Sequence, residues 1–335
     1  MRGIGNARGI HMGSEQCTPP GWSHNPSAWA ERLPLVALAA VGLSIASYLT
    51  LFQVGVTAGV WEPFFGDGSR RILTSGISRT LPIPDAALGA GAYLLDVVSG
   101  LVGGRDRWRT MPWMAVIFGL AVGPLGAVSI LLVILQPIVY DAWCTLCLTS
   151  AVISVIMIGP AMGELLATLQ HVVRAGRRGG SRWRAFLGVD DQAGSPRERV
   201  PERQAKPERD VDPMLLGAHA TAVVLGLWLM MAPAILGYEG AARTNGRAAG
   251  PIMIAVAIIS TFGAMRPLRR INVLIALWLA VAPWLLSFTT TARVNTLLVA
   301  LALLAVSVVG GEDVGSYGGG WRSLWWEPRP GSDRD

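Results

Sequence analysis

The feature that most constrains this chain is a succession of long stretches without a single Asp, Glu, Lys or Arg. Such runs cover residues 33–61, 110–140, 142–163, 214–238 and 271–292. Each supplies the ~20 residues an α-helix needs to cross the hydrocarbon core of a bilayer. Three shorter or interrupted runs, 86–104, 248–265 and 294–311, can also span. Inside lipid each backbone N–H and C=O must find a partner, which a helix provides within its own segment. The composition agrees, with 52% hydrophobic and 15% charged residues in 335, too apolar for an ordinary soluble domain. The expected fold class is an all-α integral membrane protein of eight spanning helices, arranged as two four-helix units.

A net charge of +6 raises the question of an acidic partner, and the positions of the charges answer it. With Met1 inside and all eight runs crossing, the outer loops hold six of the 28 Lys and Arg: Arg70, Arg71, Arg79, Arg243, Arg247 and Arg293. This is the bias that orients membrane proteins, so the basicity calls for no nucleic acid. Both termini are expected in the cytoplasm. Residues 1–32 lack the short apolar core of a signal peptide and, being rich in Gly, Pro and Ser, read as a disordered cytoplasmic tail. The first four-helix domain is expected over 33–170, a charged, proline-bearing cytoplasmic linker over 171–213, a second four-helix domain over 214–311, and a cytoplasmic tail over 312–335. The composition of the linker predicts two separable halves.

The second half repeats itself. "GLWLMMAPAILGY" and "ALWLAVAPWLLSF" align at an offset of fifty, as do "AARTN" and "TARVN", so that Trp228 matches Trp278, Pro233 matches Pro283, Arg243 matches Arg293 and Asn245 matches Asn295. A duplicated helical hairpin is the economical explanation. Residues 213–311 resemble the SPW repeat family of bacterial membrane units, of whose short motif "APW" at Ala282–Trp284 is a near match. The resemblance supplies no activity. His219 is the one ionisable side chain within these runs, and a lone His near a helix end is expected to pack rather than relay protons.

Chemistry is carried by the first half. Of three cysteines, Cys144 and Cys147 stand in "YDAWCTLCLTS" at the front edge of an apolar run, and the loop before them contains no Lys or Arg, so they are expected on the outer side, where disulfides persist. Cysteines three apart share one helix face, and a helix N-terminus favours the thiolate. Three uses fit such a pair: small apolar packing, half of a metal site, or a reactive dithiol. Their spacing and boundary position favour the dithiol over packing. No second CxxC or outward His pair completes a zinc site, so no metal is expected. Cys17, on the opposite side, cannot bridge to the pair. Cys144, at the helix tip, is expected to be the accessible thiol and Cys147, one turn deeper, the shielded one.

Residues 33–169 resemble the vitamin K epoxide reductase family, four-helix membrane enzymes with a CxxC at the outer end of the fourth helix. The resemblance rests on "CTLCLTS", on the outer loop "GSRRILTSGISRTLPIPDAALGA" and on Pro84 in the proline place before the second helix. It implies a bacterial inner-membrane oxidoreductase that links a dithiol to a lipid quinone, menaquinone or ubiquinone, with Cys144 and Cys147 as the catalytic pair. It further implies that Cys147 meets the quinone and Cys144 exchanges with an extracytoplasmic thioredoxin-like protein. Ser75 falls on the family's loop serine and is the first candidate for quinone binding. Trp143 and Tyr140 are candidates for stacking on the ring, although interfacial aromatics commonly anchor to membrane lipid. The departure lies in the loop, where the family carries two relay cysteines. Ser69 stands at the second position and Phe64 or Phe65 near the first, and no cysteine occurs between Cys17 and Cys144. Electrons must then arrive at Cys144 directly from a substrate protein. The competing reading is a degenerate, inactive scaffold that binds lipid, quinone or a membrane partner. Asp96, inside the second run, is a candidate proton carrier.

Overall fold

A computed structural model describes residues 18–76, 83–189, 213–308 and 317–326. Cys17, Arg79 and the proline-rich part of the linker lie outside them. The described residues are helical apart from turns and one isolated bridge between Trp22 and Tyr317. The first half contains α1 (Trp29–Gln53), α2 (Gly68–Leu73), α3 (Asp85–Leu101), α4 (Arg107–Thr110), α5 (Pro112–Val139), α6 (Thr145–Arg177) and α7 (Arg182–Phe186); the second contains α8 (Pro213–Leu236), α9 (Ala241–Ser260), α10 (Arg269–Leu285) and α11 (Thr290–Ser307). Among the described residues, six segments are long and apolar enough to cross a membrane: α1, α5, α6, α8, the stretch Gly263–Leu285 that contains α10, and α11. The protein is a multi-pass membrane protein. Among the expected spans, α3 is only 17 residues long and holds Asp96, and α9 carries Arg243 and Arg247 in its first two turns. The first span starts earlier and ends sooner than its uncharged run, because Gly55 takes the left-handed conformation and turns the chain after Gln53.

Without a hydrophobic drive between helices in lipid, close packing has to come from small residues. A Cβ on Gly42 would lie 2.5 Å from the ring of Tyr93, so this glycine lets α1 and α3 touch. Tyr93 in turn donates to the Ser150 carbonyl of α6 at 2.7 Å and shares a 2.7 Å hydrogen bond with Ser154.

The two halves pack against each other. Ala255 and Ile259 of α9 belong to one buried cluster with Met157, Ile158 and Ala161 of α6, and the ring of Phe262 occupies the space a side chain at Gly159 would need. The linker's composition describes the connection; the interface is written in the helix faces. The repeats pair reciprocally: Trp228 donates to Asn295 and Trp278 donates to Asn245, each at 2.8 Å.

The N-terminal tail departs from the expected disorder. Residues 18–32 are folded against the bundle: the Trp22 indole donates to Gln170 at 2.8 Å, Ser27 donates to Glu164 at 2.6 Å, and Arg32 is buried on the carbonyls of Gly100, Val102 and Gly103. Residues 317–326 lie on the same end, where the Gln170 amide donates to Tyr317 and Gly320 carbonyls at 3.0 and 3.1 Å. Polar composition suggested disorder, yet buried partners on α6 satisfy these backbones. The expected linker also starts late, because α6 runs on to Arg177, with Arg174 and Arg177 in its last turn, where the helix dipole favours cations.

Candidate functional site

Cys144 is the N-cap residue of α6, with extended backbone, and its sulfur accepts from the Cys147 N–H at 3.1 Å. The two are joined in a disulfide, with their Cα atoms 5.2 Å apart. The Cys144 N–H donates to the buried Gln136 side chain of α5 at 3.1 Å.

Access to the two sulfurs is the reverse of expectation. Cys144 is 0% exposed, whereas Cys147 is half-buried. The cause is the loop between α1 and α3, which folds over the start of α6. A Cβ on Gly68 would lie 2.1 Å from the Trp143 carbonyl oxygen, so α2 rests directly on the residue before Cys144.

A residue not singled out in the sequence ties that loop down. Glu62 accepts from the Thr145 N–H at 2.9 Å, from the Thr145 and Ser69 hydroxyls, and from the N–H groups of Phe64 and Phe65 at 3.3 and 3.2 Å. Burial pushes its carboxyl up, but these hydrogen bonds outweigh burial and hold it at about 2. Glu62 therefore sits as an anion on the first turn of α6, bonded to Thr145, which lies between the two cysteines in sequence. The available signal was a lone carboxylate set among Trp61, Pro63, Phe64 and Phe65. Ser69 is 1% exposed and bonded to the same carboxylate.

The remaining candidates surround this point unevenly. The ring of Trp143 lies 6.4 Å from that of Phe65, so Trp143 is at the site. Tyr140 caps the C-terminus of α5, four residues before Cys144. Ser75 follows α2, half-buried, with its N–H on the Ile72 carbonyl. Asp96 is not brought to the cysteines. It is 2% exposed, its carboxylate oxygens have no hydrogen-bond partner, and it lines a cavity of about 10 Å³ with Arg32, Arg107 and Glu164. His219 packs only in part as expected: Nδ1 is 2.7 Å from the Leu215 carbonyl, while Nε2 is unpartnered beside a cavity of about 20 Å³ that Asn272 also lines.

Residues 33–161 match the vitamin K epoxide reductase family and residues 217–310 match the SPW repeat domain. The chain is thus similar to the reductase family over part of its first half and to the repeat domain over most of its second. No curated protein and no solved structure gives a match. The reductase-family domain supports a redox function of that general kind, and proteins of this family are associated with quinones.

Proposed function

We propose that the protein is a quinone-dependent thiol oxidoreductase of a bacterial inner membrane, with both termini in the cytoplasm and Cys144 and Cys147 on the outer side. The observation that carries the reading is the Cys144–Cys147 disulfide at the N-terminus of α6 inside the reductase-family match. A thiolate of an extracytoplasmic thioredoxin-like protein attacks Sγ of Cys144 and releases the Cys147 thiolate. The partner's second thiolate then breaks the mixed disulfide, leaving the partner oxidised and both cysteines reduced. The reduced pair passes two electrons and two protons to a lipid quinone, menaquinone or ubiquinone, and becomes a disulfide again. The half-exposed Cys147 is the sulfur that faces the quinone, with Trp143, Tyr140 and Ser75 as its proposed contacts. Because Cys144 is covered, the loop held by Glu62 must lift from α6 before a partner thiolate can reach it.

The test is quinol formation by the purified protein supplied with a dithiol and menaquinone. Cys144→Ser and Cys147→Ser should each abolish turnover. Unchanged turnover in both variants sinks the enzyme reading. A second reading, a scaffold without turnover, is favoured by the Glu62–Ser69–Thr145 network that stands where the relay cysteines would be. It predicts no quinol from the wild type and undiminished binding of quinone or lipid.

A further inference from the structure

The first SPW hairpin reaches the loop that leads into the cysteine pair. Arg243 and Arg247, both on α9, donate to the Asp141 carboxylate, Arg247 at 2.9 Å, and Arg247 also donates to the Pro137 carbonyl at 2.8 Å. Asp141 stands three residues before Cys144 and holds a left-handed backbone (φ 44°), a conformation that costs a non-glycine residue energy unless its surroundings fix it. Hydrogen bonds from Arg247 and then Arg243 hold its carboxyl below the usual range.

These arginines are not what a helix start favours, since the positive end of the dipole repels cations. Nor are both general to the repeat. At the offset of fifty Arg243 matches Arg293, which turns back to the Phe288 carbonyl, and Arg247 matches Leu297. The copy that faces the reductase domain therefore carries a cation that the other copy lacks. The Asp141 carboxylate is 67% exposed, so the ion pair alone contributes little. The Arg247 side chain is only 13% exposed and bonds the backbone at the end of α5 as well, which makes it the fixing contact.

We infer that the SPW domain sets the redox poise of the cysteine pair: Arg247, assisted by Arg243, is a positioning residue that holds the 137–141 loop and brings cations to the start of α6, where Glu62 and Asp141 supply the anions. The inference rests on the proposed redox use of Cys144 and Cys147. The two guanidinium groups offset the carboxylates of Asp141 and Glu62 that flank Cys144 in the fold. This favours the thiolate-bearing reduced state over the neutral disulfide.

The experiment equilibrates the full-length protein in detergent with glutathione buffers of graded ratio at low salt, and reads the oxidised fraction of the pair by alkylation and mass. Arg247→Gln should move the equilibrium about tenfold toward the disulfide, about 30 mV for a two-electron couple. Asp141→Asn, which leaves both guanidinium groups uncompensated, should move it the opposite way, and Arg247→Lys should restore most of the wild-type value. Opposite signs separate charge tuning from simple loosening, which would shift both variants alike. Shifts of the same sign, or wild-type behaviour in both variants, overturn the clamp while leaving the redox reading intact. A wild-type pair that never titrates sinks that reading, and the clamp with it. Should Arg247→Gln fail to fold, the milder Arg243→Gln must show a smaller shift of the same sign, and its absence overturns the inference.

Discussion

The two ends of α6 are held by different chemistry. At the far end Glu164 is 3% exposed, pairs with the fully buried Arg107 and accepts from Ser27. Six residues on, Gln170 gathers the indole of Trp22 and the carbonyls of the C-terminal segment. At the cysteine end the contacts are the half-buried Glu62, the Gln136 side chain and an exposed Asp141. An ion pair buried at one end cannot open without stranding a charge in a dry interior, whereas hydrogen bonds near solvent exchange for water at small cost. One helix is thus anchored at one end and openable at the other, and the Cys144–Cys147 disulfide occupies the openable end.

The largest effect should come from the anchored end. Glu164→Ala strands the Arg107 guanidinium and should cost about 3–5 kcal/mol, read as loss of folded protein in detergent denaturation. Equal stability for this variant and the wild type would break the comparison. Gln170→Leu should cost about 1–3 kcal/mol by leaving the Trp22 indole and the tail carbonyls unpaired, and should speed proteolysis of both terminal segments. Neither change should alter the thiol–disulfide equilibrium of Cys144 and Cys147.

At the openable end the stability effect is small and the reactivity effect is large. Glu62→Gln should cost about 1 kcal/mol or less, yet raise the alkylation rate of reduced Cys144 severalfold, because the loop over it lifts more often and an anion leaves the helix start. An unchanged rate would show that something other than Glu62 covers the thiol. The smallest effect is one of pH. The Glu62 carboxyl is held at about 2, below its ordinary 4.5, so its contribution is complete above about 4.5 and is lost as pH falls through about 2. Hydrogen exchange of the 62–76 amides, corrected for intrinsic rates, should be flat from pH 7 to 5 and accelerate only below that.

Much of this was legible in the sequence because lipid imposes a simple rule: uncharged runs of spanning length become helices, and α5 and α8 follow their runs closely. The Trp, Pro, Arg and Asn repeated at an offset of fifty exposed the hairpin duplication, and the spacing of Cys144 and Cys147 exposed the candidate site. What stayed hidden depends on long-range partners. Glu62 carries no motif, and its role needs Thr145, 83 residues away. The burial of Cys144 follows from the resting place of α2, which helix position alone does not supply. Arg243 and Arg247 served as evidence of membrane orientation and gave no hint of Asp141. The packed terminal segments escaped because Gly- and Ser-rich composition says nothing of a distant Gln170 that can accept and donate at once.

The central claim is that Cys144 and Cys147 exchange electrons with a quinone, and a single-turnover measurement tests it most directly. The protein is reduced, freed of reductant without oxygen and mixed with one equivalent of menaquinone, while quinol absorbance and the Cys144–Cys147 disulfide are followed together. One quinol formed for each disulfide regained, with neither in the Cys144→Ser/Cys147→Ser double variant, is the expected result. A pair that stays reduced, or quinol that appears equally in the double variant, would contradict it.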